Sequence, residues 1–262
     1  MGINGIIVLL YLWRAIMGKV VTIGGVTPPA SLDFIDEEII KLTGKKQPKM
    51  LYIPTAGGDN LGYCELYRSI YEGRFGCEMD ILFLINETPD EDEIRKKIFS
   101  ADIIYVGGGS VVKLLEFFNS FNLIPMLKEA YNEGKVFAGI SAGALCWGLN
   151  YFDTENTAGF KTIKGFLDYT RVNCMGFVPF TICPHYNLEG YKEKMDLMTE
   201  DFGHVGIAID NDCAVQFVDG SYRVIATKED ANAYRVYKKG EEIIREVITK
   251  EVDFRALEEL YN

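Results

Sequence analysis

Residues 136–147 read Val136-Phe137-Ala138-Gly139-Ile140-Ser141-Ala142-Gly143-Ala144-Leu145-Cys146-Trp147. The apolar run Val136–Ile140 predicts a strand covered on both faces, and Ala144 onward is compatible with a helix. Between them stands Gly139-Ile140-Ser141-Ala142-Gly143, a G-x-S-x-G pattern at a strand-to-helix junction. A serine forced into a sharp turn leaves no room for side chains two residues away on either side, which explains the flanking glycines. The helix beyond Ser141 also points backbone N–H groups at any negative charge forming near the hydroxyl. Ser141 is therefore a candidate nucleophile. Taken alone, the pentapeptide is equally compatible with a small-residue turn that packs a helix on a sheet.

Upstream, short apolar runs alternate with helical patterns. Val20–Ile23, Met50–Ile53, Met79–Leu84 and Ile103–Val106 predict further strands. Ser31–Leu42, Leu61–Phe75, Asp90–Ser100, Val111–Phe118 and Pro125–Asn132 predict helices. Strands that are apolar throughout, joined by helices, predict an α/β doubly wound fold with a mainly parallel sheet and helices on both faces. Downstream the rhythm changes. Residues 150–180 read as long loops with a short strand, and a helix is expected near Tyr191–Asp201. Five strand patterns follow: Val205–Ile209, Ala214–Val218, Tyr222–Ala226, Ala233–Tyr237 and Glu242–Ile248. The turns Asp219-Gly220 and Lys239-Gly240 make this an antiparallel extension of the same domain, and Phe254–Tyr261 predicts a closing helix. Met17 opens the first strand pattern, so residues 1–16 read as an N-terminal over-extension and residues 17–262 as a single α/β domain.

Two other segments carry chemistry. Gly107-Gly108-Gly109-Ser110 follows the Ile103–Val106 strand, where ligands of open α/β sheets bind. It reads as half of an oxyanion hole, with one N–H from Gly109 and the other from Ala142. The third glycine of a dinucleotide loop is missing, and no Walker A pattern occurs. His185, in Pro184-His185-Tyr186, is one of only two histidines; the other, His204, opens a strand pattern. An imidazole beside a serine supplies the base its hydroxyl needs. The group that would orient the imidazole lies in Asp210-Asn211-Asp212. Asn211 can act through its amide oxygen, whereas Asp210 or Asp212 would add a full negative charge.

Composition bounds the partners. The 262 residues carry 27 Lys+Arg against 38 Asp+Glu, a net charge of −11, which argues against nucleic acid. The apolar stretch Ile6–Ile16 is too short to span a membrane. Six cysteines without a C-x-x-C pair, and only two histidines, argue against a metal site. They predict free thiols in a reducing, cytoplasmic setting. Nothing in the chain calls for a cofactor, and a homodimer is left open.

The three motifs together, Val106-Gly107-Gly108-Gly109, Gly139-Ile140-Ser141-Ala142-Gly143 and Pro184-His185-Tyr186, resemble the peptidase E (aspartyl dipeptidase) family of serine peptidases. Cyanophycinases are distant members, and the fold is similar to class I glutamine amidotransferase domains. The resemblance implies Ser141 as nucleophile, His185 as general base, and Gly109 and Ala142 as oxyanion donors. It also implies a small-peptide substrate, with removal of N-terminal Asp as the best-known activity. Arg171 and Lys161 are candidate partners for such an acidic side chain. Two positions depart from the family pattern. Ser110 stands where Asn is usual, and Asn211 stands where a catalytic Glu is expected. The second departure keeps open a binding module of the same fold with weak or lost hydrolysis; a cyanophycinase-like amidohydrolase is a further alternative. A glutaminase is disfavoured because that class places Cys at the elbow.

Overall fold

The computed structural model describes residues 18–28, 31–153 and 170–261. Residues 1–16 and Lys161 lie outside the described residues.

Five strands form the parallel part of the main sheet: β1 (Lys19–Ile23), β2 (Lys49–Ile53), β3 (Glu78–Ile81), β4 (Ile103–Val106) and β5 (Val136–Ile140). They stand in the order β1-β5-β4-β2-β3, all parallel. Their residues alternate between two hydrophobic layers. Ile104, Val106 and Phe137 face one, while Ile103, Tyr105 and Ala138 face the other. This is why the strands are apolar at nearly every position: helices cover both faces. On one side pack α1 (Asp33–Leu42), through Ile35 and Ile39, and α2 (Leu61–Arg68), through Cys64 and Tyr67. On the other pack α3 (Glu91–Ser100), α4 (Val111–Ser120), α5 (Leu123–Asn132) and the short α6 (Ala142–Cys146). α4 buries Val111, Leu114, Leu115 and Phe118, the face set by its helical spacing.

β10 (Cys213–Val218), β11 (Ser221–Ala226) and β14 (Arg255–Ala256) extend the sheet antiparallel from β1. The other C-terminal strands do not join it. β8 (Thr181–Cys183), β9 (Gly206–Ile209), β12 (Ala233–Lys239) and β13 (Glu242–Ile248) form a separate sheet of order β13-β12-β9-β8. β8 and β9 are parallel in it, joined by the crossover helix α7 (Tyr191–Phe202). Ile182, Ile207 and Val236 of this sheet share a hydrophobic cluster with Phe137 and Val215 of the main one.

Three local expectations are corrected. The predicted helix Phe254–Tyr261 is β14 followed by one 3₁₀ turn, Leu257–Leu260, because Arg255 and Ala256 pair with Tyr222 and Ser221. Leu61–Phe75 is not one regular helix: α2 ends at Arg68, and Ser69–Arg74 widens into a π-helical turn. In the region expected to be mostly loop, β6 (Asn150–Asp153) and β7 (Thr170–Asn173) pair antiparallel.

Candidate active site

The carboxyl ends of the adjacent strands β1, β5 and β4 carry Gly24-Gly25, Ser141 and Gly107-Gly108-Gly109. Ser141 adopts φ 56°, ψ −114°, a region that L-residues enter only at a cost of about 1–3 kcal/mol. The surrounding backbone over-determines the turn. The Ser141 N–H donates to the Ile23 carbonyl at 3.1 Å, and its own carbonyl accepts from the Ala144 and Leu145 N–H groups. A Cβ on Gly143 would fall 2.1 Å from the Val106 carbonyl oxygen, and one on Gly139 would fall 2.3 Å from that of Gly143. The steric reading of G-x-S-x-G is therefore visible atom by atom.

His185 follows β8 and sits at φ 57°, its N–H donating to the Gly24 carbonyl at 3.1 Å. Its Nε2 lies 2.9 Å from Ser141 Oγ, and its Nδ1 lies 2.6 Å from Asn211 Oδ1. An amide oxygen only accepts, so Nδ1 carries the proton and Nε2 offers its lone pair to the serine hydroxyl. Burial holds the His185 pKa below the ordinary histidine value, partly offset by the Asn211 hydrogen bond, so the imidazole is neutral at pH 7.

The acidic neighbours of Asn211 face elsewhere. Asp210 accepts from the Asn232 N–H at 2.9 Å and from the Tyr234 hydroxyl at 3.4 Å. Asp212 accepts from the Thr27 N–H and pairs with Lys228 at 2.7 Å. The Asn211 N–H donates to Asn187 Oδ1 at 3.0 Å, which anchors its loop to the one carrying His185.

Gly109, at φ 138°, turns the loop so that the Ser110 N–H donates to the Ala56 carbonyl. The N–H groups of Gly109 and Ala142 have no acceptor among the described residues, the condition for holding an oxyanion. Ser110 accepts from the Lys113 N–H and caps α4, so its place is at the helix start. Arg171 is paired with Asp201 and lies over the Phe202 ring.

Two features of the site escape a reading of the sequence. Gly25 has φ 155°, and a Cβ there would lie 2.1 Å from Asn211 Oδ1 and 2.5 Å from His185 Nδ1. Only a glycine lets the chain leaving β1 pass beneath that pair. The second feature is a cleft of about 660 Å³ that opens at Ser141 and His185 and reaches Asp36. Asp36 is buried, accepts from the Tyr71 hydroxyl at 2.8 Å, and is pushed up by burial to about 7. A carboxyl whose folded pKa is raised costs stability where the unfolded chain's carboxyl ionises while the folded one keeps its proton. That penalty is absent below the unfolded value of 3.8, grows between 3.8 and about 7, and is full above 7. Asp36→Asn should therefore raise stability at pH 8 by up to about 4 kcal/mol and change it little at pH 4, read by urea unfolding at both values.

The fold and these contacts define an α/β protein with a serine on a strained strand-to-helix turn beside a histidine. Within that class, the sequence model of peptidase family S51 matches residues 20–225, and the chain belongs to this family of serine-type peptidases. It is 30% identical over 214 residues to the uncharacterized peptidase YgaJ of Bacillus subtilis, covering 80% of this chain and 86% of that one. It is 30% identical over 139 residues to peptidase E of Shewanella baltica, spanning 53% of each, so the match covers about half the length of that relative. Among solved structures, a peptidase from an acI-B1 Actinobacterium superposes with a TM-score of 0.68 at 19% identity. That match covers 94% of this chain and 99% of the other. A putative peptidase E protein from Listeria monocytogenes EGD-e gives 0.59 at 22% identity, covering 89% and 100%. At those identities the likeness is one of fold. Among the described residues no helix is long and apolar enough to cross a membrane.

Proposed function

We propose that this peptidase is a serine exopeptidase of small peptides in which Ser141 is the nucleophile, His185 the general base and Asn211 the group that orients His185. The observation that carries the reading is the continuous Ser141–His185–Asn211 hydrogen-bond relay at 2.9 and 2.6 Å. In this mechanism Nε2 takes the hydroxyl proton as Oγ attacks the scissile carbonyl. The Gly109 and Ala142 N–H groups hold the tetrahedral oxyanion. The amide C–N bond then breaks, and the imidazolium gives its proton to the departing amine. Water, deprotonated by the same imidazole, hydrolyses the acyl-serine ester and restores Oγ–H. Asn211 fixes the tautomer without adding charge. Five buried free thiols and a sixth half-buried support a reducing, cytoplasmic setting.

The test is fluorophosphonate labelling of the intact protein as a function of pH, with the modified residue found by peptide mapping. Ser141 should be the labelled residue. The rate should fall on the acid side with a midpoint below 6.5, the ordinary histidine value from which burial lowers His185. Absence of labelling, or an acid limb above 6.5, would count against the mechanism and favour a binding role for the fold.

A further inference from the structure

The cleft at Ser141 is far larger than the scissile amide needs, and its wall has a definite chemistry. Tyr52 stands directly beneath the glycine loop, since a Cβ on Gly107 would lie 2.6 Å from its hydroxyl. Tyr52 stacks on Tyr67 at 4.4 Å between ring centroids, and Tyr67 packs against Tyr105 at 4.9 Å. The Tyr67 hydroxyl donates to that of Tyr105 at 3.1 Å. These three rings line the cleft together with Leu66, Ile70 and Ile140. At its mouth Leu66 is 49% exposed and Tyr63 54% exposed, apolar groups left in water at the entrance.

Among the described residues, the charged groups of the lining are Asp36 and Arg74. Arg74 is ion-paired with Asp33, and one oxygen of Asp36 is held by Tyr71. A substrate carboxylate placed here would lose its water beside Asp36, with the cation of the wall already engaged. A bulky apolar side chain would instead shed water against the Leu66, Ile70, Ile140 and Tyr63 side chains, with the three buried rings behind them.

We infer that this cleft is the side-chain subsite on the acyl side of the scissile bond, and that it takes a bulky uncharged residue, aromatic or branched aliphatic, in preference to aspartate. The placement on the acyl side rests on the reading of Ser141 as the nucleophile. The experiment measures binding of Phe-Leu, Leu-Leu, Asp-Leu and Lys-Leu to Ser141→Ala protein by calorimetry, and kcat/KM for the same four with the unmodified enzyme. Phe-Leu and Leu-Leu should bind at least about tenfold more tightly than Asp-Leu and Lys-Leu, and be cleaved with the same ranking. Equal or tighter binding of Asp-Leu or Lys-Leu, or no binding of any of the four, overturns the inference. Leu66→Arg, at a position too exposed to threaten folding, should narrow the gap between Phe-Leu and Asp-Leu by about tenfold or more. An unchanged gap would place the side chain elsewhere. Ranked binding without hydrolysis of any dipeptide by the unmodified enzyme would sink the catalytic mechanism and leave the subsite standing.

Discussion

Ser141→Ala will lower peptide hydrolysis by about 10⁴-fold or more and will abolish fluorophosphonate labelling, while the protein remains folded. The loss is large because Oγ is the atom that would form the covalent bond. The proposed oxyanion donors and the cleft survive the substitution, so a residual rate above that of water is expected. Folding is spared because, among the described residues, Oγ has one hydrogen-bond partner, His185 Nε2, and the backbone turn is held by main-chain bonds to Ile23, Ala144 and Leu145. The companion variant Ser141→Gly separates strain from chemistry. At φ 56°, ψ −114° a glycine is relaxed where a Cβ is not, so this variant should be equally inactive yet more stable by about 1 kcal/mol. Activity above one-hundredth of the unmodified level in either variant would show that another group is the nucleophile. A loss of stability in Ser141→Gly would show that the elbow is not strained.

The elbow was legible in the sequence because its constraints are local. Gly139, Ser141 and Gly143 crowd one another within five residues, and the strand before them buries both faces. The parallel strands and their covering helices were legible for a related reason: spacing within one element records what covers it. Other features depend on partners far along the chain. Gly25 is required by the meeting of His185 and Asn211, which come from separate loops after β8 and β9. The tyrosines at 52, 67 and 105 have the spacing of ordinary core residues on β2, α2 and β4; only packing brings them together beneath Gly107. The division of the C-terminal strands between two sheets was hidden in the same way. Alternation within β9 and β12 cannot tell which neighbour they pair with, and the β8–β9 pairing runs through a crossover helix rather than a hairpin. Residue chemistry alone left Asp210, Asn211 and Asp212 open, since a turn after a strand can present any of its side chains; only the resemblance singled out Asn211, with Asp210 as the alternative. Backbone bonds decide the matter: the Asp212 N–H donates to the Gly25 carbonyl, and the Asp210 N–H donates to that of Asn232. Those two bonds hold the turn so that Asn211 faces the imidazole.

Asn211 is where the relay carries no charge, and its substitution should separate positioning from electrostatics. Asn211→Ala removes the acceptor at 2.6 Å from Nδ1, freeing the ring to rotate and to exchange tautomers. Hydrolysis should fall by about 10²- to 10³-fold, mostly in kcat, because Nε2 no longer waits on Oγ. The acid limb of the pH profile should move down, since the Asn211 hydrogen bond is what partly offsets the lowering by burial. Asn211→Asp keeps an acceptor in place and adds a negative charge that stabilises the imidazolium. Its acid limb should move up, toward or above 6.5, and its kcat at pH 8 should exceed that of Asn211→Ala by at least tenfold. A purely structural role for Asn211 would lower both variants alike and leave the limb unmoved. Gly25→Ala supplies the converse case. It leaves the Ser141, His185 and Asn211 side chains intact but drives a methyl group into the space of Oδ1 and Nδ1. If the relay does the chemistry, Gly25→Ala should resemble Asn211→Ala in rate. If a rate near that of the unmodified enzyme is measured instead, the close pairing of His185 with Asn211 is not what activates the serine.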